Sequence, residues 1–282
     1  MRSGGMEGAE FSGARSSPDH SCHYSLVHYN MSGFANVVGN LSPLPELVLW
    51  RDPVARCGEE AMAVDEALLE WGEKPVLRVY RWAEPTVTYG YFDAEATARG
   101  IFPAQELHFV RRWTGGGIVD HRNDIPFTLA MHRSDGTERP SSATLYRWIH
   151  GALARVLKDC GVKCVMLDGD APDGGRACFS SPVTSDLVLP GGEKLAGGGQ
   201  RRVRGGVLHQ GSIQNCVLPS GWDELLASRL AEEHSLSGEA ELFPGMNARV
   251  AELLASKYRT EAWRSGIRHE RPSHARQSST PS

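Results

Sequence analysis

The chain has 282 residues, a formal net charge of −4 and 40% hydrophobic residues, which suits one large globular domain or two small ones. The near-neutral balance argues against a nucleic-acid partner, which usually needs a strongly basic face, and no run of about 18 apolar residues offers a membrane span. Arg2 is not followed by an apolar stretch, so no secretory signal is read. Six cysteines (Cys22, Cys57, Cys160, Cys164, Cys178 and Cys216) are scattered along a chain too long to need disulfide staples, which fits reduced thiols in a cytoplasm. Cys160 and Cys164 have no second Cys/His pair nearby to complete a zinc site, so no metal is expected.

Residues 1–43 are rich in Gly, Ser and Asn and read as a flexible tail, with Met31 a candidate true start. The compact part is expected over 44–263. "GEEAMAVDEALLEWG" (58–72) reads as an amphipathic helix, with Ala61, Val64, Leu68 and Trp71 recurring at helical spacing. "VLRVYRW" (76–82) and "TVTYGYF" (86–92) read as strands, as do "HFVRRW" (108–113) and "IPFTLAMH" (125–132). The spacing of Leu145, Trp148, Ile149, Ala152, Leu153, Val156 and Leu157 predicts a helix over 141–161, capped by Ser141 or Ser142 and ended by Gly161. Short strands follow at 162–167 and 185–189. "EKLAGGG" (193–199) leads into a hairpin over 200–213 turning at Gly205-Gly206, and helices are predicted over 219–235 and 246–259. Residues 264–282 are polar and predicted to be a disordered tail. Strands come in hairpin-like groups, so the fold class is α+β with a mixed, mostly antiparallel sheet and flanking helices.

Three stretches carry chemistry. "FVRRWTGGGIVDHRND" (109–124) sets Gly115, Gly116 and Gly117 between two strands, where bare backbone admits a ligand and Arg111 or Arg112 can neutralise a phosphate or carboxylate. The same pattern also describes a plain turn with solvent-facing arginines. "GGEKLAGGGQRRVRGGVLHQGSIQ" (191–214) places Lys194 before a second glycine triplet that includes Gly197 and Gly198; an edge-strand charge is the bland alternative. In "ACFSSPVTSDLVL" (177–189), Cys178 lies near Arg176, and a neighbouring cation favours a thiolate, although most free cysteines are small buried hydrophobes. His121 is a candidate pocket residue.

Together, "RRWTGGGIVDH", "EKLAGGGQRRVRGGVLHQGSI", "MAVDEALLE" (62–70) and "YRWAEPTVTYGYF" (80–92) resemble, in order, motifs of the lipoate–protein ligases and lipoyl or octanoyl transferases, relatives of biotin–protein ligase. The resemblance implies a sheet-centred catalytic domain with an elongated pocket for an eight-carbon acyl chain. It implies that Gly115, Gly116 and Gly117 line the acyl or acyl-adenylate site, that Arg112 lies near its phosphate or carbonyl end, and that Lys194 contacts the reacting carbonyl. The chain departs from the pattern at Arg122-Asn123-Asp124, and "GGGQRR" stands where "GSAQ" is commoner.

Two chemistries fit. A ligase uses ATP and Mg to form an acyl-adenylate. A transferase passes the acyl group through its own cysteine and needs no cofactor. Cys178 matches the "CF-x-x-P" stretch of cysteine-dependent octanoyltransferases, with 194 − 178 = 16 positions to the lysine. This favours Cys178 as nucleophile and Lys194 as its base and carbonyl partner. The implied donor is an acyl carrier protein or other acylated carrier, and the implied acceptor is a lipoyl domain or a glycine-cleavage carrier protein. A non-catalytic binder of acylated carriers is the reading from another class.

Overall fold

The computed structural model describes residues 41–71, 73–132, 140–169, 182–238 and 245–266, all within one compact unit. Its spine is an eight-stranded sheet. β1 (Leu44–Arg56) and β2 (Val76–Trp82) run parallel, and β1 also pairs in parallel with β11 (Ala231–Leu236) at the sheet edge. Beyond β2 the order is β6 (Asp124–His132), β10 (Gly206–Gln214), β9 (Lys194–Val203), β8 (Leu187–Val188) and β7 (Val165–Met166), every pairing antiparallel. A small sheet joins β4 (His108–Arg111), β3 (Thr86–Tyr89) and β5 (Val119–Asp120). The fold class is thus α+β with a mixed, mostly antiparallel sheet.

Alternation along the strands divides the core in two. Phe127, Leu129 and Met131 of β6 face one side with Leu47, Leu49 and Leu77, where α3 (Ser142–Asp159) and α4 (Trp222–Leu230) pack. Ala130 faces the other side with Trp50, Val76, Tyr80 and Leu208, against α1 (Gly58–Trp71) and α5 (Met246–Leu253). The predicted stripe of α3 is buried throughout, and Ser141 Oγ accepts the Thr144 N–H at 3.0 Å, as a cap should. The hairpin also forms as expected, its turn falling at Arg204-Gly205 because Val203 pairs with Gly206. A short α2 (Glu95–Ile101) follows β3.

Several boundaries differ from the sequence expectation. The helix over 219–235 stops at Leu230, and Ala231–Leu236 instead forms β11, because pairing with the open edge of β1 overrides the helix preference of Ala231, Glu232, Glu233 and Leu236. The helix over 246–259 is α-helical only to Leu253; one π-helical turn (Leu254–Tyr258) follows, then a short α6 (Glu261–Ser265) whose last two residues enter the stretch read as tail. The strand over 86–92 ends at Tyr89, since Gly90 packs against the Gly116 carbonyl. The whole of β1, bent by a register shift between Arg51 and Ala55, went unread. The predicted N-terminal tail falls almost wholly outside the described residues. Among the described residues no helix is long and apolar enough to cross a membrane.

Candidate active site

A narrow cleft with about 20 Å³ of enclosed space, little more than a water molecule fills, lies between the large sheet and the small one. Gly197, Gly198 and Gly199 of β9 form one wall beside Gly211 and Ser212 of β10; Tyr80 and Trp82 lie on β2, and Arg112 and His121 close the small-sheet side. The glycines are steric necessities. A side chain on Gly198 would strike the His209 imidazole and the Gln210 carbonyl, and one on Gly211 would enter the Phe127 ring. At Gly197 the space is taken by the Cε and Nζ of Lys194, whose chain lies along the bare strand.

Lys194 is 2% exposed, and its Nζ stands 2.7 Å from Asp186 Oδ2. Asp186 is held in turn: Tyr146 Oη donates to its Oδ1 at 2.6 Å, and the Val183 N–H donates to its Oδ2 at 2.7 Å. The Gly198 N–H donates to Tyr146 Oη at 2.8 Å, tying the phenol to the cleft wall. Asn215 Nδ2 donates to the Lys194 carbonyl at 3.1 Å. Ser185 and Asn215 both sit in the left-handed region (φ 72° and 57°), an uncommon choice for side-chain-bearing residues that marks an over-determined corner. Beneath it His150 and His209 are fully buried. Desolvation pushes the His150 imidazole down to about 3, against the pull of its hydrogen bond to the Ser185 carbonyl; desolvation and neighbouring His150 hold His209 well below its usual value.

The turn 114–117 meets this hairpin directly. The Gly115 N–H donates to the Gln200 carbonyl at 3.3 Å, and a side chain on Gly199 would strike the Gly115 carbonyl. Gly116 holds φ 99°, which glycine adopts without strain. Arg112, 6% exposed, donates to Thr88 Oγ1 at 2.5 Å and to the Gly117 carbonyl at 2.7 Å, fixing the turn's shape. Thr114 Oγ1 donates to Gln210 Oε1, Gln210 Nε2 donates to Asp65 Oδ2, and Asp65 pairs with the fully buried Arg78. A rod of buried polar contacts therefore runs from the turn into α1 and β2. His121 is equally fixed, between Thr88 Oγ1 (2.7 Å) and Asp124 Oδ2 (2.6 Å), and Ser212 Oγ also donates to Asp124.

Of the residues singled out in the sequence, Arg112, His121, Gly197 and Gly198 line the cleft and Lys194 lies against its wall. Gly115, Gly116 and Gly117 are not among its lining; they shape the turn that locks onto Gly90 and Gly199. The two triplets thus touch, rather than facing each other across open space. Arg111 points elsewhere, donating to the Trp263 carbonyl at 2.8 Å and to the Tyr91 carbonyl. Cys178 lies outside the described residues. Tyr146, Asp186 and Gln210 went unnoticed. The one available signal was a carboxylate opening the otherwise apolar "DLVL" (186–189). Among the described residues Cys57, Glu59 and Glu84 bring possible metal-ligand atoms within 4.8 Å of one another, but burial pushes the Cys57 thiol up, away from the thiolate a metal needs.

The sheet, its two helical faces and the glycine-walled cleft define the fold of the lipoate protein ligases: a bipartite lipoate protein ligase from Thermoplasma acidophilum superposes with TM-score 0.55 at 18% identity, over 81% of this chain and 99% of that one. Residues 58–237, more than half of the chain, match the family described as the lipoyl protein ligase A/B catalytic domain, and the chain belongs to that family. Among curated relatives, the octanoyltransferase LipM of Kyrpidia tusciae is 36% identical over 227 residues, covering 70% of this chain and 80% of that protein. The octanoyltransferase LipM of Oceanobacillus iheyensis is 32% identical over 160 residues, 54% of this chain; this chain spans only 58% of that relative's length.

Proposed function

We propose that the protein is an acyltransferase that moves an octanoyl or lipoyl group from a carrier thioester onto Cys178 and then onto a lysine of a lipoyl-carrier protein. The observation that carries the reading is the Lys194 ammonium, paired with Asp186 and laid along the bare backbone of Gly197 at the cleft wall. The relatives named octanoyltransferase LipM support it. In the first step the Cys178 thiol gives its proton to solvent, its thiolate attacks the thioester carbonyl, the carbon–sulfur bond to the carrier breaks, and the carrier leaves as a thiolate that takes up a proton from solvent. In the second, a lysine amine attacks the Cys178 thioester, an amide forms, and the Cys178 thiol is regenerated. Lys194 serves as the cation facing the developing oxyanion, held for that role by its ion pair with Asp186. The thioester carries the activation, so this route consumes no cofactor. Donor and acceptor are an acylated carrier protein and a lipoyl domain or glycine-cleavage carrier, in the cytoplasm.

Incubation with an octanoyl-carrier, followed by intact mass, is expected to show one octanoyl adduct that Cys178→Ser abolishes. Transfer to an apo lipoyl domain should then proceed without ATP. An adduct that survives the substitution removes Cys178 from the mechanism, and turnover only with ATP and Mg assigns the protein to the ligases.

A further inference from the structure

Beyond the junction of the two glycine triplets, three cations and three aromatic rings close into a circuit. Arg111 Cζ lies over the rings of Tyr91 (4.8 Å) and Trp263 (5.1 Å). Arg201 Cζ lies over Tyr91 (5.0 Å) and Trp113 (5.1 Å), and Lys257 Nζ over Trp113 (4.3 Å) and Trp263 (4.4 Å). Each ring serves two cations, so like charges converge. The opposing carboxylates are few. Glu66 pairs with Lys257 at 2.5 Å, and Glu70 adds attraction from further off. Among the described residues the Arg111 guanidinium donates to backbone carbonyls and to no carboxylate. Among the described residues the Arg201 side chain has neither a hydrogen-bond nor an ion-pair partner, and the Nε atoms of Arg111 and Arg201 are buried without one. Burial pushes the Lys257 ammonium down, and Arg201 pushes it the same way.

An assembly that concentrates positive charge on rigid rings, with two guanidinium donors unspent, is built for an anion. It adjoins the candidate active site. Trp113 directly precedes the 114–117 turn, and Arg201 follows Gln200, whose carbonyl receives the Gly115 N–H. Gly199 and Arg201 share a face of β9, so the cleft wall runs on toward this cluster, about 13 Å from Gly197 to Arg201. We propose that the Arg111–Arg201–Lys257 cluster is a subsite for a phosphate ester, with Arg201 as its main donor. Resting on the transferase reading, the phosphate is the one on the pantetheine arm of the acyl donor; a nucleotide phosphate has the same chemistry.

Trp113 and Trp263 flank the cations, so their fluorescence reports occupancy. Titration of the full chain with 4′-phosphopantetheine is expected to give a saturable change. Arg201→Gln should weaken it about tenfold to a hundredfold, while Arg201→Lys, keeping the charge, should cost only a few-fold. A parallel titration with ATP distinguishes the two sources: tighter binding of ATP, with the same loss in Arg201→Gln, keeps the subsite and assigns it to a nucleotide. No saturable change with either probe, or equal binding by Arg201→Gln and the parent, overturns the proposal. Acylation by octanoyl-pantetheine, with and without the phosphate, separates this from the parent reading. Arg201→Gln should slow acylation by the phosphorylated donor tenfold or more and leave the other within twofold. If neither donor acylates Cys178, the transferase reading fails while the titrations still decide the subsite.

Discussion

Asp186 does three things with two oxygens: it receives the Tyr146 hydroxyl, receives the Val183 amide and faces the Lys194 ammonium. Its neutral isostere separates these roles. Asp186→Asn can keep one acceptor oxygen but loses the charge that fixes the ammonium along Gly197. Turnover is expected to fall about a hundredfold, the scale of losing one preorganised oxyanion donor. Thermal unfolding should shift far less than turnover, because the remaining oxygen can still receive the Val183 N–H while the new amide NH2 can donate to Tyr146 Oη. Turnover within threefold of the parent would show that something other than this carboxylate places Lys194.

At the scale of elements, the meeting of the 114–117 turn with β9 is the critical joint. Gly199→Ala puts a methyl group onto the Gly115 carbonyl, which is backbone and cannot swing aside. The two segments must part, at a cost of about 1–3 kcal/mol by the usual scale of overpacking, and the cleft wall moves with them. Urea unfolding should register that loss, and acyl transfer should fall along with it; an unchanged midpoint would mean the joint is looser than its contacts. This joint also marks how far the sequence could be read. α3 was legible because burial on one stripe writes a period into the chain, and the β9–β10 hairpin because glycines mark its turn; α1 was located too, although Ala61 to Leu69 are buried on every side rather than on one stripe. Lys194 beside a glycine triplet was legible for the same local reason. The tight contact between the triplets was not, since it joins residues some 80 positions apart in the chain. Nor was the desertion of Arg111, which depends on where α6 docks. β11 could not be read because "AEEHSL" (231–236) has no strand pattern of its own; the free edge of β1 recruits it.

For the molecule as a whole, two imidazoles held neutral in the interior set an acid limit. Below about pH 6.5 the unfolded chain takes up protons that native His150 and His209 do not accept. Stability therefore falls as the pH drops from 6.5 toward about 3, where native His150 itself titrates. The pair should account for roughly 3 kcal/mol between pH 6.5 and 5, and His150→Gln should remove about half of that slope in urea unfolding at pH 7 and 5. A slope unchanged by the substitution would place the acid sensitivity elsewhere. The parallel pairing of Leu44 with Ala231 has a different consequence. The first strand needs a partner that arrives 231 − 44 = 187 residues later, roughly 10–40 s of translation at ordinary ribosomal speeds. Throughout that interval the nascent chain carries an unsatisfied row of amides and carbonyls on β1, the kind of edge that other chains, or chaperones, will find first.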